Sequence, residues 1–305
     1  MGGFVRRRLA SSLVALVGVV IIVFFLARLT GNPASVYLPV GAPPAALANF
    51  NHQNGFDRPI WVQFGQFIVN ICHLDFGQSL TQQRPALTAA LQVFPQTVYL
   101  AVVAMIVAII VSVVLGSLAA SRRFSRLDRG ISLLSIAMSS VPDFWFGLVG
   151  ILLLSVRLGI LPTSGESGFT SWILPVCTLI LAPVGVLIQV VRGAMIDALG
   201  SGYVQNARAR GFTRQRLVYR HALRNAALPI ITVAGDKAAG MFNGAIIVGT
   251  VFAWPGIGTL LVNGVLNRDF PVVQASVFVI GIAVILLNIL VDLTYALADP
   301  RVRIS

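Results

Sequence analysis

Apolar residues in this chain come in long unbroken runs, and polar residues collect in the gaps between them. Six runs stand out, near 9–29, 97–119, 131–156, 173–191, 230–253 and 273–297. Each is about 20 residues or longer, enough for a helix to cross the hydrocarbon layer of a membrane. Lipid offers the backbone no hydrogen bonds, so a spanning run that does not alternate apolar and polar residues must be helical. The pattern predicts an all-α, polytopic membrane protein with six transmembrane helices. Pro142, Pro175 and Pro183 fall inside the third and fourth runs and are expected to interrupt them.

The gaps are unequal. The first, 31–96, is too long for a plain connection and must carry structure or function. After a Pro/Gly-rich start it contains "DRPIWVQFGQFIVNI", where Gln63, Gln66 and Asn70 recur at helical spacing and Trp61, Phe64, Ile68 and Ile71 fill much of the rest. That spacing predicts an amphipathic helix, either packed on the spans or offered to an external partner. Arg58, Trp61 and Phe64 are the candidates for the partner contact. Between the last two runs, Trp254-Pro255-Gly256 predicts a turn followed by a short apolar helix.

Charge then orients the chain. Only 10% of residues are charged against 57% apolar, yet the net charge is +12. Arg6, Arg7 and Arg8, the four arginines between Arg122 and Arg129, Arg192 with the six from Arg208 to Arg224, and Arg301 and Arg303 all fall on one side of a six-span arrangement. Arg58, Arg84, Arg157 and Arg268 fall on the other. The positive-inside tendency places the basic side, with both termini, in the cytoplasm. The first run is too long for the core of a cleaved signal and lacks a small-x-small site after it, so it reads as an uncleaved span. Arg6 defeats a myristoylation pattern. Cys72 and Cys177 have no metal or redox spacing.

Charges inside the spans are the candidates for chemistry, because burying them in a membrane is costly unless they face a polar interior. Asp143, Asp236, Lys237 and Asn243 could line a solute pathway, or the charges, with Asp292 near the inner end of the last run, could pair between helices. Asp236 and Lys237 are neighbours and so point about 100° apart on a helix, which suggests partners on other helices rather than each other. Enzyme signatures are missing: no His-Glu-x-x-His, no Gly-x-Ser-x-Gly, no Tyr-Asp with Gly-x-Gly-Asp. The lone lysine, Lys237, follows Asp236 rather than glycine, so there is no P-loop, and any ATP the work needs must be bound by another chain.

The densest basic stretch, "QNARARGFTRQRLVYRHALRNAALP" (205–229), has no acid. Arg216, Arg220 and Arg224 share a helical face, Gly211 breaks the stretch into helix, turn, helix, and Thr213 is a plausible cap for the second helix. Without base-stacking aromatics or a binding module it does not read as a nucleic-acid site. Lipid headgroups can hold some of the arginines. Ala207, Ala209 and Gly211 leave little bulk and would let another protein come close.

Here the chain resembles the permeases of ABC importers, in the B-type form of dipeptide and oligopeptide systems. The family's cytoplasmic pattern is Glu-Ala-Ala, three residues, then Gly; Ala207 and Gly211 match it, while Gln205 and Asn206 depart from it. "GFDRPIWVQ", "DFGQSL", "VPDFWFG", "LGILPTSG", "VFAWPGIG", "RDFPVVQ" and "DLTYALADPRVR" follow in family order, and Gly249 stands where the family usually has Glu. The resemblance implies a type I ABC importer permease fold with a cytoplasmic N-terminus and first span at 1–30, an extracytoplasmic segment at 31–96, a five-helix core at 97–297 and a cytoplasmic tail at 298–305.

It further implies a coupling loop at 192–229, in which Tyr203, Ala207, Arg208, Ala209, Arg210, Gly211 and Phe212 dock on an ATPase. The implied partners are a second homologous permease in a heterodimer, two ATPase subunits and an extracytoplasmic solute-binding protein, all at the bacterial inner membrane. The chain would hold no cofactor or metal, ATP and Mg residing on the ATPases. The implied cargo is a di- or oligopeptide, with nickel, haem or another small solute as the alternative within the class and an intramembrane enzyme as the alternative outside it.

Overall fold

The computed structural model describes residues 2–29, 31–39, 41–166 and 168–298, with side chains described over 10–29, 31–39, 41–166 and 168–291. The side chains of Arg6, Arg7, Arg8 and Asp292, and the tail arginines Arg301 and Arg303, lie outside the described residues. Helices follow in the order α1 (Gly2–Leu29), α2 (Ala34–Tyr37), α3 (Pro44–Gln53), α4 (Ile60–Cys72), α5 (Ala86–Ser121), α6 (Arg126–Ser140), α7 (Asp143–Gly150), α8 (Thr170–Gly200), α9 (Gly202–Ala209), α10 (Leu223–Val251), α11 (Ile257–Leu266) and α12 (Phe270–Ala298). Wider π-helical turns extend α7 over Ile151–Arg157 and precede α10 over Arg216–Ala222. Among the described residues there is no strand, only an isolated bridge between Gln78 and Pro85.

Helices α1, α5, α8 and α12 are long and apolar enough to cross a membrane, with mean hydropathy of 2.8, 3.1, 2.3 and 2.5 over their apolar stretches. They account for the first, second, fourth and sixth predicted spans. The third is broken: α6 and the α7 segment meet at 98°. Val141, extended at φ −86° and ψ 128° as a residue before proline prefers, ends α6, and Pro142 starts α7. The predicted span at 230–253 lies in α10, which is long enough, but Asp236, Lys237 and Asn243 make it less apolar than the other four. Pro175 and Pro183 do not interrupt their run, contrary to expectation; both sit within continuous α8. That helix packs against α6, α7 and α10, and enclosure by neighbours holds a helix together where proline removes a bond.

The chain divides into two compact units, one of residues 1–97 with 255–286 and the other of 98–254 with 287–305. In the first, Phe24 is fully buried and meets Phe64 and Phe67 of α4 at ring distances of 5.2 and 4.8 Å. Around them pack Ala86, Ala89 and Ala90 of α5, Ile257 and Leu260 of α11, and Val272, Ala275 and Val279 of α12. In the second, α8 is central: Leu174, Leu179, Val184 and Ile188 meet Leu100, Ala104 and Ala108 of α5 and Met241, Ala245 and Val248 of α10. Helix α8 passes α6 so closely at Gly185 that a Cβ there would lie 2.4 Å from the carbonyl oxygen of Ser135. Small residues are how membrane helices reach such separations.

The first unit also contains a fully buried acid. Asp269 Oδ2 accepts hydrogen bonds from Ser79 Oγ (2.7 Å), Thr81 Oγ1 (2.7 Å) and Thr81 N (3.0 Å), fastening the loop before α5 to the start of α12. Burial, and secondarily this carboxylate, pushes the Tyr37 phenol up to about 12. Asp269→Asn replaces an acceptor with a donor facing donors. It should cost about 2 kcal/mol, as for a buried hydrogen bond to a charged group. Thermal unfolding of the detergent-extracted chain checks this, with Ser79→Ala expected to cost less.

Candidate functional site

The expected docking stretch forms a helix, a tight turn and a second helix. Helix α9 ends in a Schellman arrangement: Gly211 N donates to Arg208 O (3.0 Å) and Phe212 N to Ala207 O (3.3 Å). Gly211 takes the left-handed conformation this turn requires, at φ +78°, and nothing lies within 4 Å of where its Cβ would be. The next helix begins at Arg214, directly after Thr213, and its π-helical turn stacks back on α9. The Phe212 ring lies 5.4 Å from His221 in near-parallel stacking, and the Arg216 guanidinium lies 4.5 Å from the Phe212 ring. Val204, Ala207 and Leu217 form a small buried cluster beneath.

The seven residues expected to dock therefore divide. Tyr203, Arg208, Ala209, Arg210 and Gly211 are exposed, Phe212 is half-buried, and Ala207 is buried in its own chain rather than offered outward. Two ties anchor the element. Arg214 donates to the carbonyl oxygen of Ser121 at the end of α5. Val218 and Ala222 pack against Val191, Met195 and Ala198 of α8. Nearby, Arg192 Nε and Nη2 grip both oxygens of Asp128 at 2.5 and 2.8 Å, and Asp128 also accepts from Phe124 N at 2.9 Å.

Of the four pathway candidates, Asp143 and Lys237 line one cavity of about 200 Å³ in the second unit, with Pro183, Gly240 and Gly244 on its wall. Asp143 Oδ1 is buried there without a hydrogen-bond partner among the described residues. Asn243 is exposed and does not line this cavity. Contrary to the expectation of partners on other helices, Lys237 Nζ lies 3.2 Å from Asp236 Oδ2. The four-carbon stem of Lys237 can bend back across the 100° between them, and Asp236 is largely exposed.

The amphipathic helix predicted within 31–96 is present as α4. Its polar residues Gln63, Gln66 and Asn70 line a second cavity, while Trp61 is 72% exposed and Phe64 is packed at 5.2 and 5.4 Å from Phe24 and Phe25. Arg58 is exposed. The sequence reading missed Asp128 with Arg192, Asp269, and Gln274 on the wall of that second cavity. Ser125-x-x-Asp128 is a capping pattern that could have drawn attention to Asp128; Asp269 and Gln274 both fall in the motif "RDFPVVQ", which marks them without giving their contacts.

The fold defines a class first. It superposes on solved ABC transporters: an inward-facing MetNI methionine transporter (TM-score 0.56, 16% identity, 69% of this chain and 96% of that one) and an amino acid transporter solved with histidines (TM-score 0.51, 15% identity, 68% and 94%). At that identity the likeness concerns the fold alone. Residues 112–304 match the family model of binding-protein-dependent transport system inner membrane components, and residues 1–101 match the model of its N-terminal region. Among curated relatives, a di/tripeptide transport system permease protein DppB of Pseudomonas aeruginosa is 35% identical, covering 99% of each chain. A dipeptide transport system permease protein DppB of Escherichia coli K12 is 34% identical, covering 98% of each. The chain belongs to the binding-protein-dependent transport system inner membrane component family and is a multi-pass ABC importer permease.

Proposed function

We propose that this chain is the B-type permease of a di- or oligopeptide importer. It forms the transmembrane pathway with a second, homologous permease and is driven by two ATPase subunits that bind ATP and Mg. A solute-binding protein delivers the peptide from outside, and both termini face the cytoplasm at the bacterial inner membrane. The observation that carries the cargo is the full-length likeness to two permeases named for di- and tripeptide transport. The absence of a P-loop in the sequence supports placing hydrolysis on partner chains.

In this reading α9 is the coupling helix. Its exposed Tyr203, Arg208, Ala209 and Arg210 dock on an ATPase, while buried Ala207 and the Arg214 tie to α5 carry the displacement into the spans. Asp143 and Lys237 would be wetted by the pathway, and Arg58 and Trp61 would meet the binding protein.

Transport is tested by reconstituting the chain with its partners and measuring ATP-dependent uptake of a labelled dipeptide with and without the binding protein. Coupling is tested by Gly211→Asp. Aspartate is among the few residues that visit the left-handed conformation, so the substitution adds bulk and charge at the exposed turn with less backbone strain than most side chains would bring. Peptide-stimulated ATPase activity should fall at least tenfold in the assembled complex. Wild-type stimulation in an assembled mutant would remove α9 from the docking role.

A further inference from the structure

The larger cavity, about 540 Å³, lies within the first unit, and its volume falls in the ~300–1,000 Å³ span of small-molecule sites. Three pieces of chain distant in sequence build much of its wall: Arg28 at the end of α1, Gln63, Gln66 and Asn70 from one face of α4, and Phe270 and Gln274 from the start of α12. An amphipathic helix on a plain lipid surface would send its amides to water. Here α4 sends them into a concave space instead.

Two groups on this wall want an acceptor. Gln274 is only 7% exposed, and its Nε2 has no hydrogen-bond partner among the described residues. A buried amide N–H left unpaired is costly, so a ligand that supplies an oxygen is favoured at this position. Arg28 is the second. Its Nε donates to Gln63 Oε1 at 2.9 Å and its Nη1 to Phe24 O at 3.2 Å, and its guanidinium lies 3.5 Å from the centre of the Phe24 ring. These contacts fix the guanidinium without neutralising it, for among the described residues no carboxylate pairs with it. A fixed, unneutralised cation on the same wall as an unpaired amide donor is complementary to a carboxylate; the acid on that wall, Asp75, accepts from Gly77 N at 2.9 Å. The remaining amides can each donate and accept, as a peptide backbone requires, and Phe270 supplies an apolar wall.

We infer that this cavity is a binding site for a short peptide, with the peptide's C-terminal carboxylate toward Arg28 and Gln274. The inference rests on the peptide-importer reading. On the same orientation the cavity faces the outside, where it would hold a peptide between its release from the binding protein and its entry to the pathway.

The test uses the complete transporter in phosphatidylcholine nanodiscs without binding protein, titrated with labelled tri-alanine and with tri-alanine amide. Saturable binding of the free acid is expected, with the amide at least tenfold weaker. Gln274→Leu, which removes the unpaired donor, should weaken binding of the acid at least tenfold. Gln66→Trp, at an exposed position on the wall, fills the cavity without entering the core, so it keeps the test decisive if Gln274→Leu does not assemble; it too should lose binding at least tenfold. Absent binding of tri-alanine, equal binding of acid and amide, or wild-type affinity in Gln66→Trp would each overturn the inference. So would loss of binding-protein docking in Gln66→Trp with peptide binding intact, since the cavity would then receive a protein segment. ATP-driven tri-alanine uptake, measured with binding protein on the same preparation, separates the two levels. Uptake without cavity binding removes this site and leaves the importer reading; no uptake of any di- or tripeptide removes both.

Discussion

Gly185→Ala is expected to prevent the chain from accumulating in folded form, whereas Gly193→Ala on the same helix should be neutral or mildly stabilising. In isolation both changes raise helix propensity by about 1 kcal/mol. The surroundings reverse the sign at one of them. A Cβ at Gly185 would lie 2.4 Å from Ser135 O and 2.8 Å from Ser139 N, both backbone atoms of α6 that cannot turn aside. At Gly193 nothing lies within 4 Å. Overpacking a fitted interior costs about 1–3 kcal/mol, and a clash with backbone belongs at or beyond the top of that range because α6 and α8 must separate. The measurement is the fraction of detergent-extracted protein that remains monodisperse on heating. Equal behaviour of the two variants would show that the α6–α8 contact does not support the fold.

The second large effect is expected at Asp128→Ala, which should cost about 3 kcal/mol, the low end for stranding one member of a buried ion pair because the Arg192 side chain left behind is 30% exposed. Asp128 is 2% exposed and gathers three donors: both contacts from Arg192 and the amide of Phe124. Its own amide donates to Ser125 Oγ at 3.2 Å, so the same residue closes the cap of α6 and clamps α6 to α8. Alanine keeps that backbone bond, but it takes the acceptor from the Phe124 amide and leaves the guanidinium without its partner. The double variant Asp128→Leu, Arg192→Met should recover much of the loss, since apolar replacements of a buried pair are often neutral. Thermal midpoints of the two singles and the double form the cycle that checks this; a double variant as unstable as Asp128→Ala would assign the effect to the Phe124 amide left without its acceptor.

Much of this architecture was legible because long apolar runs leave the backbone only one way to satisfy itself in lipid. Helices α1, α5, α8 and α12 follow from that alone. Proline was a less dependable guide: Pro142 ends a helix while Pro183 sits inside one, and the difference lies in how tightly neighbours enclose α8. Periodicity identified which residues of α4 share a face but not what that face meets, so the cavity beneath Gln63, Gln66 and Asn70 could not be anticipated. Gly211 was conspicuous in the sequence for want of bulk; in the structure its first duty is to cap α9. Asp128 with Arg192 and Ser79 with Asp269 join residues far apart in the chain, and no local pattern foretells such pairs.

The π-helical turn over Arg216–Ala222 carries a consequence for angular phase. An α-helix advances by about 100° per residue, so a stretch that accommodates an extra residue offsets everything after it by roughly that angle. The stem that presses Leu217 onto α9 and the span that presses Ile230 toward α8 can then each keep an apolar stripe aimed at its own neighbour. A regular helix through the same residues would bring one stripe into line and turn the other away. The segment thus works as a phase shifter between the α9 turn and the long helix α10, and tightening or widening that single turn would twist α10 without bending it.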